Sequence, residues 1–206
     1  DFDSVDIIVA VDETPVVQVS AFPNPTFVEN TSPVLVDTGI TITDSDFPAQ
    51  SIVAGSARII ISNNYIQGED ALDIAGALPS GITKSFDVAT GTLRLFGTST
   101  TTAAQMQTAL RQVTFFSAGD DPTNGNRNDR EITYVVNDGF VDSQVNFNSV
   151  RTVNVSPLND NPVVTIDPSI LTYTENQAAL LLDPSMLVTD ADDLNISSAC
   201  RSAAAR

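Results

Sequence analysis

The chain has 206 residues and is strongly acidic, with 26 acidic against 9 basic side chains and a formal charge of −17. This charge argues against a nucleic-acid partner, because phosphate groups need Lys and Arg. It suits a secreted protein whose self-repulsion is relieved by bound cations such as calcium. The sequence contains no histidine, and its single cysteine is Cys200, so no nucleophile–base pair is visible and we expect no enzymatic activity. It also has no long apolar run, so we expect no membrane insertion by this segment.

Short strand patterns separated by turn signals run through most of the chain. Alternation on both sides of Gly91 predicts a hairpin over 85–95, and helical spacing of apolar residues predicts one helix over 101–112. The polar segment 119–130 is interpreted as an exposed loop, and Glu69-Asp70 as turn residues. Many short strands indicate an all-β fold, a β-sandwich with one short helix, rather than a parallel α/β sheet. Further strands are predicted within 34–42, 58–61, 71–74, 113–116, 132–136 and 141–155.

The sequence repeats itself internally. Phe27-Val28-Glu29-Asn30 lines up with Tyr173-Thr174-Glu175-Asn176 at an offset of 146 positions. Val16-Val17 lines up with Val163-Val164 at an offset of 147, a one-residue difference that a surface loop tolerates. Several identities in one register predict a tandem repeat. The others at the offset of 146 are Asp37 with Asp183, Thr43-Asp44 with Thr189-Asp190, and Asp46 with Asp192.

The repeat divides the sequence into four parts. We expect residues 1–14 to be the last strand of a preceding repeat plus a linker, and 15–158 to be one complete sandwich repeat. Residues 159–199 are then a linker and the opening strands of a next, truncated repeat, and 200–206 are a tail that resembles vector sequence. The chain therefore looks like a piece of a larger protein.

Oxygen-rich residues collect at the boundary between the two repeats. Asn159-Asp160-Asn161 precede Pro162, which stiffens the linker. Ca²⁺ binds about six to eight oxygen ligands. These linker residues, Glu29 and the Asp190/Asp192 pair together offer such oxygens. Asp129-Arg130-Glu131 could add further ligands. The strand topology decides whether Glu29 lies near the linker, and the alternative is that these acids only solubilise the surface.

The short motifs of this sequence resemble those of cadherin-type repeats. They resemble still more the bacterial cadherin-like and chondroitin-sulfate-proteoglycan-type repeats of large secreted adhesins and matrix proteins. The likeness is carried by Glu29-Asn30, Asp44-Ser45-Asp46, Asn137-Asp138-Gly139 and the linker, and it covers nearly the whole chain. It implies tandem Greek-key sandwiches with calcium at the joints. Pro157 stands where such linkers carry an Asp, so about one or two ions per joint are expected. The implied ligands are Glu29, Asn159, Asp160, Asn161, Asp190 and Asp192 at the second joint, and Asp12, Glu13, Asp44 and Asp46 at an incomplete first joint.

The resemblance implies a non-enzymatic structural or adhesion module, extracellular or at the cell surface. Its expected partners are neighbouring repeats, homotypic chains in a filament, or a glycan or other cell-surface ligand. The alternative is a carbohydrate-binding module on a secreted polysaccharide-active protein. Because the chain has no Trp, its sugar platform would use Tyr65, Phe140 or Tyr134. If the source is eukaryotic, Asn30 is the expected glycosylation site.

Overall fold

The computed structural model describes residues 12–21, 23–45, 55–123 and 129–192. The chain divides into two compact units, Asp1–Pro157 and Leu158–Arg206, and each is described by itself. The described elements of the first unit are β1 (Val16–Gln18), β2 (Thr26–Val28), β3 (Val34–Leu35), β4 (Thr41–Thr43), β5 (Ser56–Asn63), β6 (Asp70–Ile74), β7 (Thr83–Asp87), β8 (Thr92–Phe96), α1 (Ala103–Leu110), β9 (Val113–Ser117), β10 (Arg130–Asn137), a 3-10 helix (Phe147–Ser149) and β11 (Val150–Ser156).

The first unit is a β-sandwich. One sheet has the strand order β2-β11-β10-β5-β8-β7, in which β2 runs parallel to β11 and every other neighbouring pair is antiparallel. The other layer contains the antiparallel sheet β3-β9-β6 and the antiparallel pair β1-β4. Several successive strands lie in different layers, for example β4 and β5, β5 and β6, and β8 and β9, as in Greek-key sandwiches. The predicted all-β fold with one short helix is therefore confirmed.

The core forms because apolar side chains alternate along the strands. In β5, Ala57, Ile59 and Ile61 are buried while the residues between them are only half-buried. Phe115 from the three-stranded sheet meets Phe27 from the six-stranded sheet, edge to face, with 5.5 Å between ring centroids. The predicted hairpin around Gly91 is the pair β7-β8.

The helix α1 connects β8 to β9 and covers one edge of the β1-β4 pair. Thr102 caps its first turn through a capping box. The Gln107 side chain accepts a hydrogen bond from the N–H of Ile42 (2.9 Å), and Arg111 Nε donates to the carbonyl of Ile40 (3.0 Å). Its buried face consists of Met106, Ala109 and Leu110. Nowhere in the described ranges is a helix long and apolar enough to cross a bilayer.

A buried ion pair joins the two layers. Arg130 in β10 donates through Nε to Asp70 Oδ2 (2.6 Å) in β6, and both side chains are almost fully buried. A second nitrogen of Arg130 donates to the carbonyl of Pro122 (2.7 Å), and Asp70 also accepts the N–H of Ile66 (2.9 Å). The interpretation of Asp70 as a turn residue and of Arg130 as the end of an exposed loop was wrong. The two residues satisfy one another inside the protein, where neither charge is stable alone.

A more exposed ion pair fixes the turn after β10. Arg58 in β5 donates to Asp142 Oδ2 (2.7 Å), and Asn137 donates to the other oxygen of Asp142 (2.8 Å). The hydrogen bond from Arg58, followed by that from Asn137, lowers the pKa of the Asp142 carboxyl. This pair therefore stabilises the turn while Asp142 is ionised.

The second unit repeats the opening geometry of the first. Its strands β12 (Val163–Thr165) and β13 (Leu187–Thr189) form an antiparallel pair. Val163 faces Thr189, just as Val16 faces Thr43 in the first unit. The two pairs are thus related by the offsets of 147 and 146 positions found in the sequence.

A backbone-binding aspartate also repeats. Asp37 accepts a hydrogen bond from the N–H of Ser20 (2.7 Å), and Asp183 accepts one from the N–H of Asp167 (2.8 Å). The backbone hydrogen bond from Asp167 lowers the pKa of Asp183. The same side chain therefore closes the same loop in both units.

We expect Arg130→Ala to lower the free energy of unfolding of the first unit by about 3–5 kcal/mol, because it leaves Asp70 charged and buried. Urea unfolding followed by circular dichroism measures the loss. The matched control is Arg94→Ala, since Arg94 lies on the exposed face of β8 and should change stability by less than about 0.5 kcal/mol. Equal effects of the two substitutions would contradict a special role for the buried pair.

We expect Arg58→Met to raise the pKa of Asp142 towards its ordinary value, because the main hydrogen bond that lowers it is lost. A depressed carboxyl pKa stabilises the fold above the unfolded value of about 3.9 and ceases to do so as the pH falls through the folded pKa. The stability difference between the parent chain and Arg58→Met should therefore be present at neutral pH and shrink in acid. Carboxyl NMR titration gives the pKa of Asp142. Urea unfolding of both chains at neutral and at acid pH gives the stability difference. A difference independent of pH would refute this assignment.

Candidate metal centre

Glu29 is held at the end of the six-stranded sheet. It follows β2 directly and is fully buried. Its N–H donates to the carbonyl of Ser156 (3.0 Å), because the parallel pairing of β2 with β11 brings these two strand ends together. Asn30 then turns the chain with a left-handed backbone, φ 59°, and its amide donates to Glu29 Oε1 (3.2 Å). The topology therefore places Glu29 beside the end of β11.

Asp120 brings a second carboxylate to Glu29. It lies in the loop after β9, is exposed, and carries a carboxylate oxygen within 4.8 Å of one from Glu29. Two oxygens on one Ca²⁺ ion, each about 2.3–2.6 Å from it, lie up to about 5 Å apart. A single metal ion can thus bind both groups, and without a cation their like charges repel. The sequence interpretation missed Asp120; the available signal was an acidic pair, Asp120-Asp121, that begins three residues after the last residue of the apolar strand β9.

In the second unit, the linker acid Asp160 lies beside the predicted Asp190/Asp192 pair. The N–H of Asp160 donates to Asp192 Oδ2 (2.5 Å), and the N–H of Asp192 donates to Asp190 Oδ1 (3.1 Å). The remaining oxygen of Asp192, Oδ1, is buried and accepts no hydrogen bond within the described part of the chain. A buried carboxylate oxygen is unfavourable without a compensating charge or donor, so this oxygen fits a cation ligand. Asn159 is exposed and donates to the carbonyl of Asp160 (2.6 Å), and Asn161 is also exposed.

The acids expected at the first joint lie at the start of the first unit. Asp12 and Glu13 are exposed, and Glu13 Oε2 accepts a hydrogen bond from Ser45 Oγ (3.0 Å). Asp44 is half-buried, and Asp46 lies outside the described residues. Among the described residues, these acids do not form a group of three close enough to share an ion. The stronger candidate ligands are therefore those around Glu29 and Asp160.

Asp129 and the aromatic residues considered for sugar binding lie in different surroundings from the carboxylates described above. Asp129 accepts the N–H of Val155 (3.0 Å), and this hydrogen bond anchors β11. Tyr134 is fully buried, and this burial raises the pKa of its hydroxyl well above the usual value. Its proposed part in a sugar platform was therefore wrong. The hydroxyl of Tyr65 donates to the carbonyl of Val88 (2.5 Å), and of the three named aromatics Phe140 is the most exposed.

Comparisons with protein-family models, with curated proteins and with solved structures find no match to this chain. The carboxylate geometry therefore carries the functional argument by itself.

We expect Asp120→Asn to change stability in opposite directions with and without calcium. In a chelator, removal of one of two neighbouring negative charges should raise the free energy of unfolding, by up to about 1 kcal/mol at this exposed position. In calcium the substitution should lower it, because a charged ligand is lost. Urea unfolding under both conditions measures the two effects.

The matched control is Glu175→Gln. Glu175 occupies the position of Glu29 in the repeat, before an asparagine with φ 67°, and it is exposed. The effect of Glu175→Gln on the free energy of unfolding should have the same sign in chelator and in calcium. A loss of stability from Asp120→Asn that is the same in chelator and in calcium would contradict the assignment of Asp120 as a ligand.

Proposed function

We propose that this chain is a non-enzymatic structural or adhesion module of an extracellular protein, built from tandem sandwiches and stiffened by Ca²⁺. The observation that carries the proposal is a group of neighbouring carboxylates within each of the two units. Glu29 and Asp120 come within 4.8 Å in the first unit, and Asp160, Asp192 and Asp190 are connected by hydrogen bonds in the second. The repeated strand pair and the repeated backbone-binding aspartate support the tandem part of the proposal.

The ligand chemistry favours calcium over other common metals. All of these groups are oxygens, whereas zinc and copper sites generally use histidine or cysteine, and this chain has no histidine. Magnesium requires a nearly octahedral site and keeps several of its waters. Calcium accepts irregular sets of carboxylate, carbonyl and amide oxygens. Such oxygens are present at the turn of Glu29 in the first unit and, separately, in the linker at the start of the second.

In this proposal, calcium orders the segments that carry its ligands. In the linker 158–162, Asp160 has one asparagine on each side, and Pro162 follows, so the backbone is already restricted at one end of the linker. Loss of the cation would leave Asp160, Asp190 and Asp192 repelling one another. Calcium binding to Asp160 and its neighbours would remove that repulsion and reduce the motion of the linker. A long acidic chain of such modules would then be extended in calcium and flexible in a chelator.

The proposal is tested by calcium titration of the full chain. Isothermal titration calorimetry should show binding, and the melting temperature should rise in calcium. The corresponding gain in the free energy of unfolding is about 2.7 kcal/mol when calcium is in hundredfold excess over Kd. Backbone NMR order parameters of residues 158–162 should rise in calcium. The paired substitution Asp190→Ala with Asp192→Ala should weaken binding, whereas Glu175→Gln should not.

Two outcomes would contradict this function. Identical unfolding curves in calcium and in chelator would mean that the acids only solubilise the surface. Calcium-independent binding to a glycan array, removed by substitution of Phe140, would instead support a carbohydrate-binding module. Magnesium at the same concentration is the control for ionic strength, because it should produce much smaller shifts.

A further inference from the structure

An open cleft lies at the end of the first unit where β11 begins. Its volume is about 220 Å³. One wall is the 3-10 helix Phe147–Ser149, and the other is the loop that follows β1. The N–H of Val19 donates to the carbonyl of Asn148 (2.7 Å) and joins the two walls. Glu29 lies beside the other end of β11, so the cleft is separate from the candidate metal centre.

The wall that carries Phe147 is fixed by hydrogen bonds. The side chain of Asn146 accepts the N–H of Asn148 (2.8 Å), and the N–H of Asn146 donates to Ser149 Oγ (3.0 Å). Ser149 is fully buried, which attaches this turn to the core. Phe147 is 89% exposed, more than any other aromatic residue in the described part of the chain. The fold therefore presents one aromatic ring to solvent on a fixed support.

The opposite wall is held by Arg151. Its Nη1 donates to the carbonyl of Ser20 (2.7 Å), and its Nη2 donates to that of Pro23. Asp37 accepts the hydroxyl of Ser20 (2.6 Å) and lies 4.0 Å from Arg151 Nε, so the positive charge of Arg151 is balanced within the protein. A cleft whose walls are already ordered loses little conformational freedom when a ligand binds.

Three side-chain amides line the cleft beside the exposed ring. They belong to Gln18, Asn24 and Asn148, and these amide groups make no hydrogen bond within the described residues. Each amide offers an acceptor oxygen and donor N–H groups, and a hydroxyl group both donates and accepts. A sugar ring carries such hydroxyls around its edge and has an apolar C–H face that packs on an aromatic ring. The cleft is smaller than the pockets of about 300–1,000 Å³ that enclose drug-sized ligands, which suits a single sugar residue of a longer chain.

We propose that this cleft binds a neutral sugar residue of a glycan. Phe147 packs against one face of the sugar ring, and the amides of Gln18, Asn24 and Asn148 bind its hydroxyls. The sugar is uncharged, because a chain with a formal charge of −17 repels sulfated and uronic-acid polysaccharides. The described lining contains no carboxylate, so binding does not depend on calcium. The site adds a ligand to the proposed adhesion module, and its aromatic residue is none of those that the sequence suggested.

The inference is tested by NMR titration of the isotopically labelled full chain. The probes are the methyl glycosides of glucose, galactose, mannose and N-acetylglucosamine, added in chelator and again in calcium. We expect at least one glycoside to produce saturable amide shifts in both solutions, confined to residues 18–24 and 146–152. Heparin is the anionic control and should not shift these residues.

A matched pair of variants locates the ring contact. Phe147→Ala should weaken the bound glycoside by about tenfold or more, because the aromatic contact is lost. The control is Phe140→Ala, since Phe140 is 54% exposed, lies in the same connection between β10 and β11, and does not line the cleft. Asn148→Ala should weaken binding by about threefold to tenfold through loss of a hydrogen bond. These side chains are exposed, so circular dichroism should show an unchanged fold for each variant.

The other outcomes would overturn the inference. These are no shifts with any of the glycosides, shifts confined to other residues, binding only in calcium, or equal weakening by Phe147→Ala and Phe140→Ala. The calcium proposal is judged separately, by the unfolding curves. Sugar binding in chelator would support the cleft even if calcium left those curves unchanged, and absence of sugar binding would remove the cleft while leaving the calcium proposal intact.

Discussion

Each β-strand of this chain depends on another strand that satisfies its backbone N–H and carbonyl groups. In the first unit every described strand has such a partner, and the partners often lie far along the sequence. β2 pairs with β11 across more than a hundred residues, and that pairing brings the turn at Glu29 to the end of β11. In the second unit the two described strands, β12 and β13, pair with one another. The position of Glu29 among the candidate ligands follows from this requirement.

Charge sets the second constraint. A chain with a formal charge of −17 gains solubility from its surface acids, but acids brought together by the fold repel one another. The first unit arranges its charged side chains in two ways. Asp70 and Arg130 neutralise each other between the sheets, whereas Glu29 and Asp120 combine two negative groups at one place. The first arrangement is complete with protein atoms alone, and the second is chemically sensible as a cation site.

Local signals in the sequence predicted the local structure well. The hairpin at Gly91, the helix after Thr102 and the strand pair that repeats at Val163 were all recoverable, because each depends on neighbours or on a repeated phrase. Contacts between distant residues were not recoverable in this way. Asp70 and Arg130 are 60 positions apart, and each alone resembles a polar turn or loop residue. Asp120 was missed for the same reason, since its meaning depends on Glu29, which reaches it only through the folding of the whole sandwich.

The helix α1 has a consequence for how such sandwiches coexist in crowded surroundings. The outer edge of β4 would otherwise present bare amide and carbonyl groups, and exposed edges of this kind recruit strands from other molecules. Gln107 and Arg111 occupy two of those groups, so the inserted helix acts as a guard against edge-to-edge aggregation. In the proposed tandem arrangement, such edges would lie at high local concentration. A built-in cover on each complete module would let the modules stand side by side without fusing into a continuous sheet.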